Sequence, residues 1–334
     1  VSLGLQHSSD HLRDSQPAYG RYTDDVYRNV GFFAQDSWSL GKEWEFLYGL
    51  RIDKHSAVNS VVFSPRVAVK WSPVSVWNIR ASYARGFRAP QVFDEDLHIT
   101  QVGGEGAVIR NDAALKHETA NSYMLGFEWT PKSGSHKGFL EFNAFYTGLK
   151  GLFKVIEDDD PHTSDREFTR VNLGSASVRG LEVNLGYALG NRIKVEGGFV
   201  VQSGRYAEPE PDFNSRRFFR TPSLHGNLSL LWNHKAVGEL FLGFLYSGSM
   251  RLPHYAGYIP YDRLERTDPY AVLDASISRE IPCSADFRLV LTVGLKNLTN
   301  SYQKDLDQGP KRDAAYVYGP RFPRTFSAGL RVEF

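Results

Sequence analysis

Apolar and polar side chains alternate along one segment after another of this 334-residue chain. In the last segment, Phe326, Ala328, Leu330 and Val332 are separated by polar or very small residues. A period of two places apolar side chains on one face of a β-strand and polar side chains on the other. We count about fourteen such segments, each near the ~10 residues with which a tilted strand crosses a bilayer. The pattern therefore predicts an all-β chain of antiparallel strands.

The composition fits a membrane barrel and argues against several other classes. No run of ~18 apolar residues occurs, so a helical membrane span is not expected. A mean hydropathy of −0.38 is compatible with a barrel, because half of each strand faces water. The net charge of +1 gives no reason to expect a nucleic-acid partner. The single cysteine, Cys283, excludes a disulfide within the chain.

The connections between the predicted strands alternate between short and long. Short turns are predicted at 39–42, 72–75, 131–137, 189–192, 233–237 and 281–285. Long polar loops are predicted at 9–26, 87–117, 148–170, 205–221, 249–269 and 300–314, with one short exception at 55–60. Short periplasmic turns and long outer loops are typical of transmembrane β-barrels.

On the inner wall we expect charged side chains to form polar ladders: Glu182, Lys194, Glu196, Arg288 and Lys296.

A series of short motifs adds a family resemblance. They are FAQDSW at 33–38, GLRID at 49–53, SPR at 64–66, GFRAP at 86–90, LKHET at 115–119, VRGLE at 178–182, NLTN at 297–300 and PRTF at 323–326. In this order they resemble the barrel of TonB-dependent outer-membrane receptors, although His117 stands where proline is usual. The C-terminal Phe334, which closes an alternating strand, is also typical of outer-membrane barrels.

The resemblance implies an architecture, a location and partners. Residues 1–334 would form the C-terminal section of a 22-stranded plugged barrel, with the plug and the TonB box outside this chain. The protein would lie in the outer membrane of a Gram-negative bacterium, surrounded by lipid. TonB–ExbB–ExbD would act through the plug, and the barrel assembly machinery would recognise Phe334. A surface lipoprotein is a further candidate partner, and a smaller closed barrel remains an alternative architecture.

The family resemblance also implies the import of a scarce metal chelate, a ferric siderophore or haem, with energy from the TonB complex. The alternatives are a cobalamin receptor, a SusC-like glycan importer and a passive porin. An enzyme is disfavoured, because the histidines lie in separate loops without evident catalytic partners. No tightly bound cofactor is expected.

Candidate ligand-binding residues lie in the predicted outer loops. His98 lies after the FRAP segment, where haem receptors of this family carry an iron-ligating histidine, although an outer-loop histidine without a role is the alternative. Arg88 suits an anionic ligand, or else pairs with a carboxylate in the wall. The remaining candidates are a histidine and four tyrosines that offer contact area for a planar or cyclic ligand, or else serve as girdle and loop packing: His254, Tyr255, Tyr258, Tyr261 and Tyr316.

One acidic run is a candidate calcium site. Asp158, Asp159 and Asp160 follow Glu157 in a predicted outer loop. Carboxylate oxygens are the ligands that Ca²⁺ prefers, and cobalamin receptors of the family bind calcium in loops. The spacing matches no fixed calcium motif, so a solvated acidic loop is the alternative.

Overall fold

The structure is a computed structural model that describes residues 1–17, 21–91, 107–157, 166–284, 287–320 and 322–333. The strands are β1 (Ser2–Gln16), β2 (Arg21–Leu40), β3 (Trp44–His55), β4 (Val62–Val74), β5 (Trp77–Arg88), β6 (Ala107–Asn111), β7 (Glu118–Trp129), β8 (Lys132–Ser133), β9 (His136–Lys150), β10 (Phe153–Glu157), β11 (Arg166–Asn172), β12 (Ser175–Leu189), β13 (Ile193–Glu210), β14 (Ser215–Arg217), β15 (Leu224–His234), β16 (Gly238–Ser247), β17 (Arg251–His254), β18 (Arg263–Arg266), β19 (Tyr270–Ser284), β20 (Phe287–Lys296) and β21 (Thr325–Glu333). Within these ranges, no helix has the length and hydropathy needed to span a membrane.

One antiparallel sheet contains all the long strands. Its path is β1-β2-β3-β4-β5-β7-β9-β12-β13-β15-β16-β19-β20-β21, and the short strands β8 and β14 pair at its margins. The path has fourteen strands, and each pairs with its neighbours in chain order, which confirms the predicted all-β architecture. In the described part of the chain β1 and β21 do not pair with each other, so this sheet is not closed.

In the region predicted as the first long polar loop, 9–26, the described residues 9–16 and 21–26 are instead paired strands, so that prediction was wrong for them. β1 and β2 pair from Ser2↔Gln35 to Gln16↔Arg21. The residues look like a loop because both faces are polar, but cross-strand contacts stabilise the ladder. Across the ladder, Arg13 donates to Asp24 at 3.0 Å, and the Tyr22 hydroxyl, on the same strand as Asp24, donates to it at 2.8 Å. The strands therefore extend well beyond the length that crosses a bilayer.

The apolar face of the sheet carries aromatic residues at two levels. Near the short turns, the Trp44 and Trp71 rings stack with centroids 5.5 Å apart, and Trp38 lies against Phe46 at 5.8 Å. Towards the other ends of the strands is a row of three tyrosines on adjacent strands: Tyr83, Tyr123 and Tyr146. Aromatic bands at both interfaces are expected for a barrel in lipid.

The opposite face carries a polar ladder. Arg80 of β5 lies 3.0 Å from Glu128 of β7 and 3.8 Å from Glu141 of β9. The ladder continues with Asn184 donating to Glu182 at 2.9 Å, Lys194 paired with Glu196 at 2.9 Å and Arg288 paired with Glu280 at 3.3 Å. Glu182, Lys194, Glu196 and Arg288 thus all have polar partners on this face, but the contacts of the first three lie within one strand, and Lys296 has no ion pair among the described residues.

Few apolar side chains are buried in the described part of the chain. Val58, Val62 and Ala89 form a small cluster under the short connection at 56–61, with Phe87 packed against it. Leu252 and Tyr316 are buried in the long loops. A single-layered sheet has no interior of its own, so the main buried packing lies where the loops fold together at the outer ends of the strands.

Candidate ligand-binding loops

Two long connections, 249–269 and 297–324, pack against each other; we call them the loop pair. The first contains the small hairpin β17–β18, whose last residue in β17 is His254. The imidazole is only 3% exposed and stacks on the Tyr316 ring of the second loop, with centroids 3.7 Å apart. Its Nε2 lies 3.0 Å from Asp307. One buried histidine therefore joins the two loops by a stack and a hydrogen bond.

Carboxylates of the second loop extend this contact into the backbone. Asp307 also accepts the backbone N–H of Asp313 at 2.9 Å. Asp313 in turn accepts the N–H groups of Tyr255 at 3.0 Å and Ala315 at 2.8 Å. Both carboxylates are buried, and each satisfies backbone donors that would otherwise lack partners. The irregular loop is thus held by side chains in place of a strand ladder.

A third carboxylate, Asp305, anchors two tyrosines. It accepts the hydroxyl of Tyr316 at 2.7 Å and that of Tyr318 at 2.6 Å. Burial acts to raise the pKa of Asp305, but hydrogen bonds, chiefly from the Tyr318 and Tyr316 hydroxyls, outweigh it and leave that pKa lowered. Burial and the adjacent carboxylate raise the pKa of both tyrosines, so the phenols stay neutral. The side chain of Gln303 adds bonds to the Tyr316 carbonyl and the Tyr318 N–H.

Above this buried base, the first loop presents exposed tyrosines. Tyr258 and Tyr261 are 54% and 64% exposed, and Tyr255 is partly covered by Phe213, with ring centroids 5.9 Å apart. Burial raises the pKa of the Tyr255 phenol, and nearby carboxylates raise it further. The loop pair therefore combines a fixed base with accessible aromatic area.

The other predicted sites are only partly within the described residues. Arg88, at the end of β5, lies 3.8 Å from Glu118, and its guanidinium is 5.7 Å from the Phe153 ring. His98, Asp158, Asp159, Asp160 and Phe334 lie outside the described residues, so their roles stay predictions. Within the described ranges, no group of three or more His, Cys, Asp or Glu side chains is placed to hold a metal ion.

The structure unites some predicted residues and adds others. His254, Tyr255 and Tyr316 belong to one contact network, although ligand contact by any of them stays a prediction. Sequence reasoning missed the residues that hold them: Gln303, Asp305, Asp307 and Asp313. The only available signal was the density of aspartates and tyrosines in the second loop, since the partners lie about fifty residues away along the chain.

Comparison with known proteins identifies the family. The family model "TonB dependent receptor-like, beta-barrel" matches residues 3–298. An iron-regulated outer membrane virulence protein of Vibrio cholerae serotype O1 is 24% identical over 204 residues, covering 60% of this chain and 31% of that protein. The chain thus spans about a third of that relative's length.

Solved structures show the same fold. A variant of the ferric enterobactin receptor of Pseudomonas aeruginosa, in complex with enterobactin, aligns with 99% of this chain and 51% of its own, with a TM-score of 0.72 and 19% identity. The siderophore receptor PirA of Pseudomonas aeruginosa aligns with 99% of this chain and 52% of its own, with a TM-score of 0.66 and 17% identity. The chain belongs to the TonB-dependent receptor family and is a section of its outer-membrane β-barrel.

Proposed function

We propose that this chain is part of a receptor that imports a ferric siderophore across the outer membrane, with energy delivered through TonB. The observation that carries the proposal is the loop pair, in which a buried hydrogen-bond network lies beneath exposed tyrosines at the outer end of the barrel. Iron regulation of the Vibrio cholerae relative, and siderophore receptors among the structural neighbours, support this substrate class.

The loop pair suits the capture of a bulky chelate for a physical reason. Ordering long loops at the moment of binding costs free energy, and loops that are already held by a buried hydrogen-bond network avoid part of that cost. Tyrosine rings provide wide contact area with only two rotatable side-chain angles. Tyr255, Tyr258 and Tyr261 are the residues that we expect to touch the ligand, and no covalent chemistry is required of them.

The inner wall supports the energy-coupling part of the proposal, which requires a plug domain to dock inside the barrel. A cavity of about 1260 Å³ opens near the short turns of β13 to β21, and it is lined by charged side chains such as Arg192, Glu239, Glu280 and Arg331. Polar groups on an inner wall need hydrogen-bond partners. A plug domain would supply them, and TonB with ExbB–ExbD would act on that plug from the periplasmic side.

Ligand titration of the complete receptor in detergent tests the substrate. Ferric catecholate siderophores, haemin and cyanocobalamin would be titrated separately. We expect saturable binding of a siderophore, weakened about 5- to 50-fold in a Tyr258→Ala/Tyr261→Ala variant, because each truncated aromatic contact costs about 0.5–1.2 kcal/mol. Tyr22→Ala is the matched control, since Tyr22 is 61% exposed but belongs to the β1–β2 hairpin and not to the loop pair.

Two results would change the assignment. Haemin binding with a shifted Soret band that is lost in His98→Ala would replace the siderophore by haem. Siderophore binding without uptake of radioactive iron in cells with TonB, or equal uptake in cells lacking it, would contradict energy coupling.

A further inference from the structure

A second cavity, of about 450 Å³, lies above the start of β15, where β14 takes the place beside β13. Three arginines line it, one each from β14, β17 and β18: Arg217, Arg251 and Arg266. The rest of the lining includes the hydroxyl residues Ser203, Thr221, Ser223 and Ser249, and it contains no carboxylate.

The arginines are held close to each other by strand register. Arg251 and Arg266 are directly opposite across the β17–β18 ladder. Arg217 is directly opposite a fourth arginine, Arg205, across the β13–β14 ladder. Like charges directly opposite in a ladder repel each other and destabilise the pairing. Two such pairs beside one cavity concentrate positive charge that an anion would neutralise.

Several other arginines of the chain are neutralised by a nearby carboxylate. Arg13, Arg51, Arg80 and Arg288 each have a carboxylate within 3.3 Å. Among the described residues, no carboxylate lies within ion-pairing distance of Arg217, Arg251 or Arg266. Arg266 donates from Nε to the Ser249 hydroxyl at 3.2 Å, which orients its guanidinium without neutralising it. The cavity therefore has one oriented guanidinium and uncompensated positive charge.

We propose that this cavity binds the phosphate group of a phosphorylated sugar. Guanidinium groups match the planar, two-point geometry of phosphate oxygens, and several hydroxyl groups line the cavity beside them. Its volume lies within the range of small-molecule sites. The ligand has two sources, the headgroup of a phosphorylated outer-leaflet glycolipid or a soluble sugar phosphate. The proposal does not depend on which chelate the receptor imports.

The first test is isothermal titration calorimetry of the complete receptor in detergent, with no iron chelate present. The probes are glucose 1-phosphate and inorganic pyrophosphate. We expect Arg217→Gln and Arg251→Gln each to weaken binding roughly tenfold or more, because each removes a charge-assisted donor. Arg216→Gln is the matched control: Arg216 is adjacent in β14 and exposed but lies 3.7 Å from Glu208.

A lipid arm separates the two sources. Receptors would be placed in nanodiscs that contain phosphorylated or enzymatically dephosphorylated lipopolysaccharide. Retention of only the phosphorylated lipid, lost in Arg217→Gln but not in Arg216→Gln, would assign the cavity to a headgroup. If Arg217→Gln loses binding of the soluble probes while lipid retention is unchanged, the cavity would be assigned to a soluble sugar phosphate. No phosphate-dependent binding in either arm, or equal weakening by the control variant, would overturn the proposal.

Discussion

Replacement of His254 provides a direct test of how the loop pair is held. His254→Phe keeps a ring against Tyr316 and removes the hydrogen bond to Asp307. His254→Ala removes both the hydrogen bond and the stacked ring. The difference between the two variants separates the polar contact from the aromatic one.

The expected magnitudes follow from the local geometry. Without the imidazole, Asp307 stays buried with the Asp313 N–H at 2.9 Å as its remaining donor, which costs about 1–3 kcal/mol. The stack on Tyr316, with centroids 3.7 Å apart, contributes about 0.5–1.5 kcal/mol more. We therefore expect about 1–3 kcal/mol for His254→Phe and about 2–4 kcal/mol for His254→Ala in the free energy of loop opening.

Hydrogen–deuterium exchange of the complete receptor in detergent measures that free energy. The informative amides are those of Tyr255, Asp313 and Ala315, whose N–H groups bond to Asp313 or Asp307. Each 1.4 kcal/mol speeds their exchange about tenfold if local opening controls it. Arg312→Ala is the control, because among the described residues its side chain bonds only the nearby Gly309 carbonyl. Unchanged exchange in His254→Ala would refute the reasoning.

Three further predictions concern the wall and the loops. Asp53, 1% exposed, accepts hydrogen bonds from the side chains of Asn29 and Arg51, so Asp53→Asn should lower the free energy of unfolding in urea by about 1–3 kcal/mol. A Cβ on Gly31 would lie 2.6 Å from the Asp53 carboxylate, so Gly31→Ala should cost about 1–3 kcal/mol in the same assay, whereas Gly86→Ala, with open space, should change it by less than about 0.5 kcal/mol. The pKa of Tyr318 is raised, so the stability that its hydroxyl contributes is complete below about pH 10 and is lost as the pH rises through the pKa of the folded state. Near-ultraviolet circular dichroism of the loops should therefore change above about pH 10 in the native protein, and less in Tyr318→Phe.

The strands could be predicted from sequence because lipid and water impose a period of two on them. Leu181 to Leu189, for example, follows that period through the second half of β12. The outer part of the β1–β2 hairpin could not be predicted in this way, since both of its faces meet water above the bilayer and the alternation disappears. There the ladder depends on the cross-strand partners of Asp24, Arg13 and His11, which no periodicity reveals.

The loop pair was predictable only in part. Aromatic and histidine residues marked the first loop, but their burial depends on Asp307 and Asp313, more than fifty residues further along the chain. Sequence gives no distance between two irregular segments, so it could not separate the buried Tyr316 from the exposed Tyr261. The arginine-lined cavity was hidden for the same reason, because its members come from three separate strands.

The purely sequential pairing of the fourteen main strands makes the hairpin an exchangeable unit of this architecture. Loss or duplication of one hairpin, such as β15–β16, would return the chain to the same end of the wall and preserve the direction of every later strand. The circumference would change by two strands, and barrel diameter follows strand number roughly linearly. Pore width can therefore evolve in whole-hairpin steps, while the outer loops diversify independently on a wall whose alternation is unchanged.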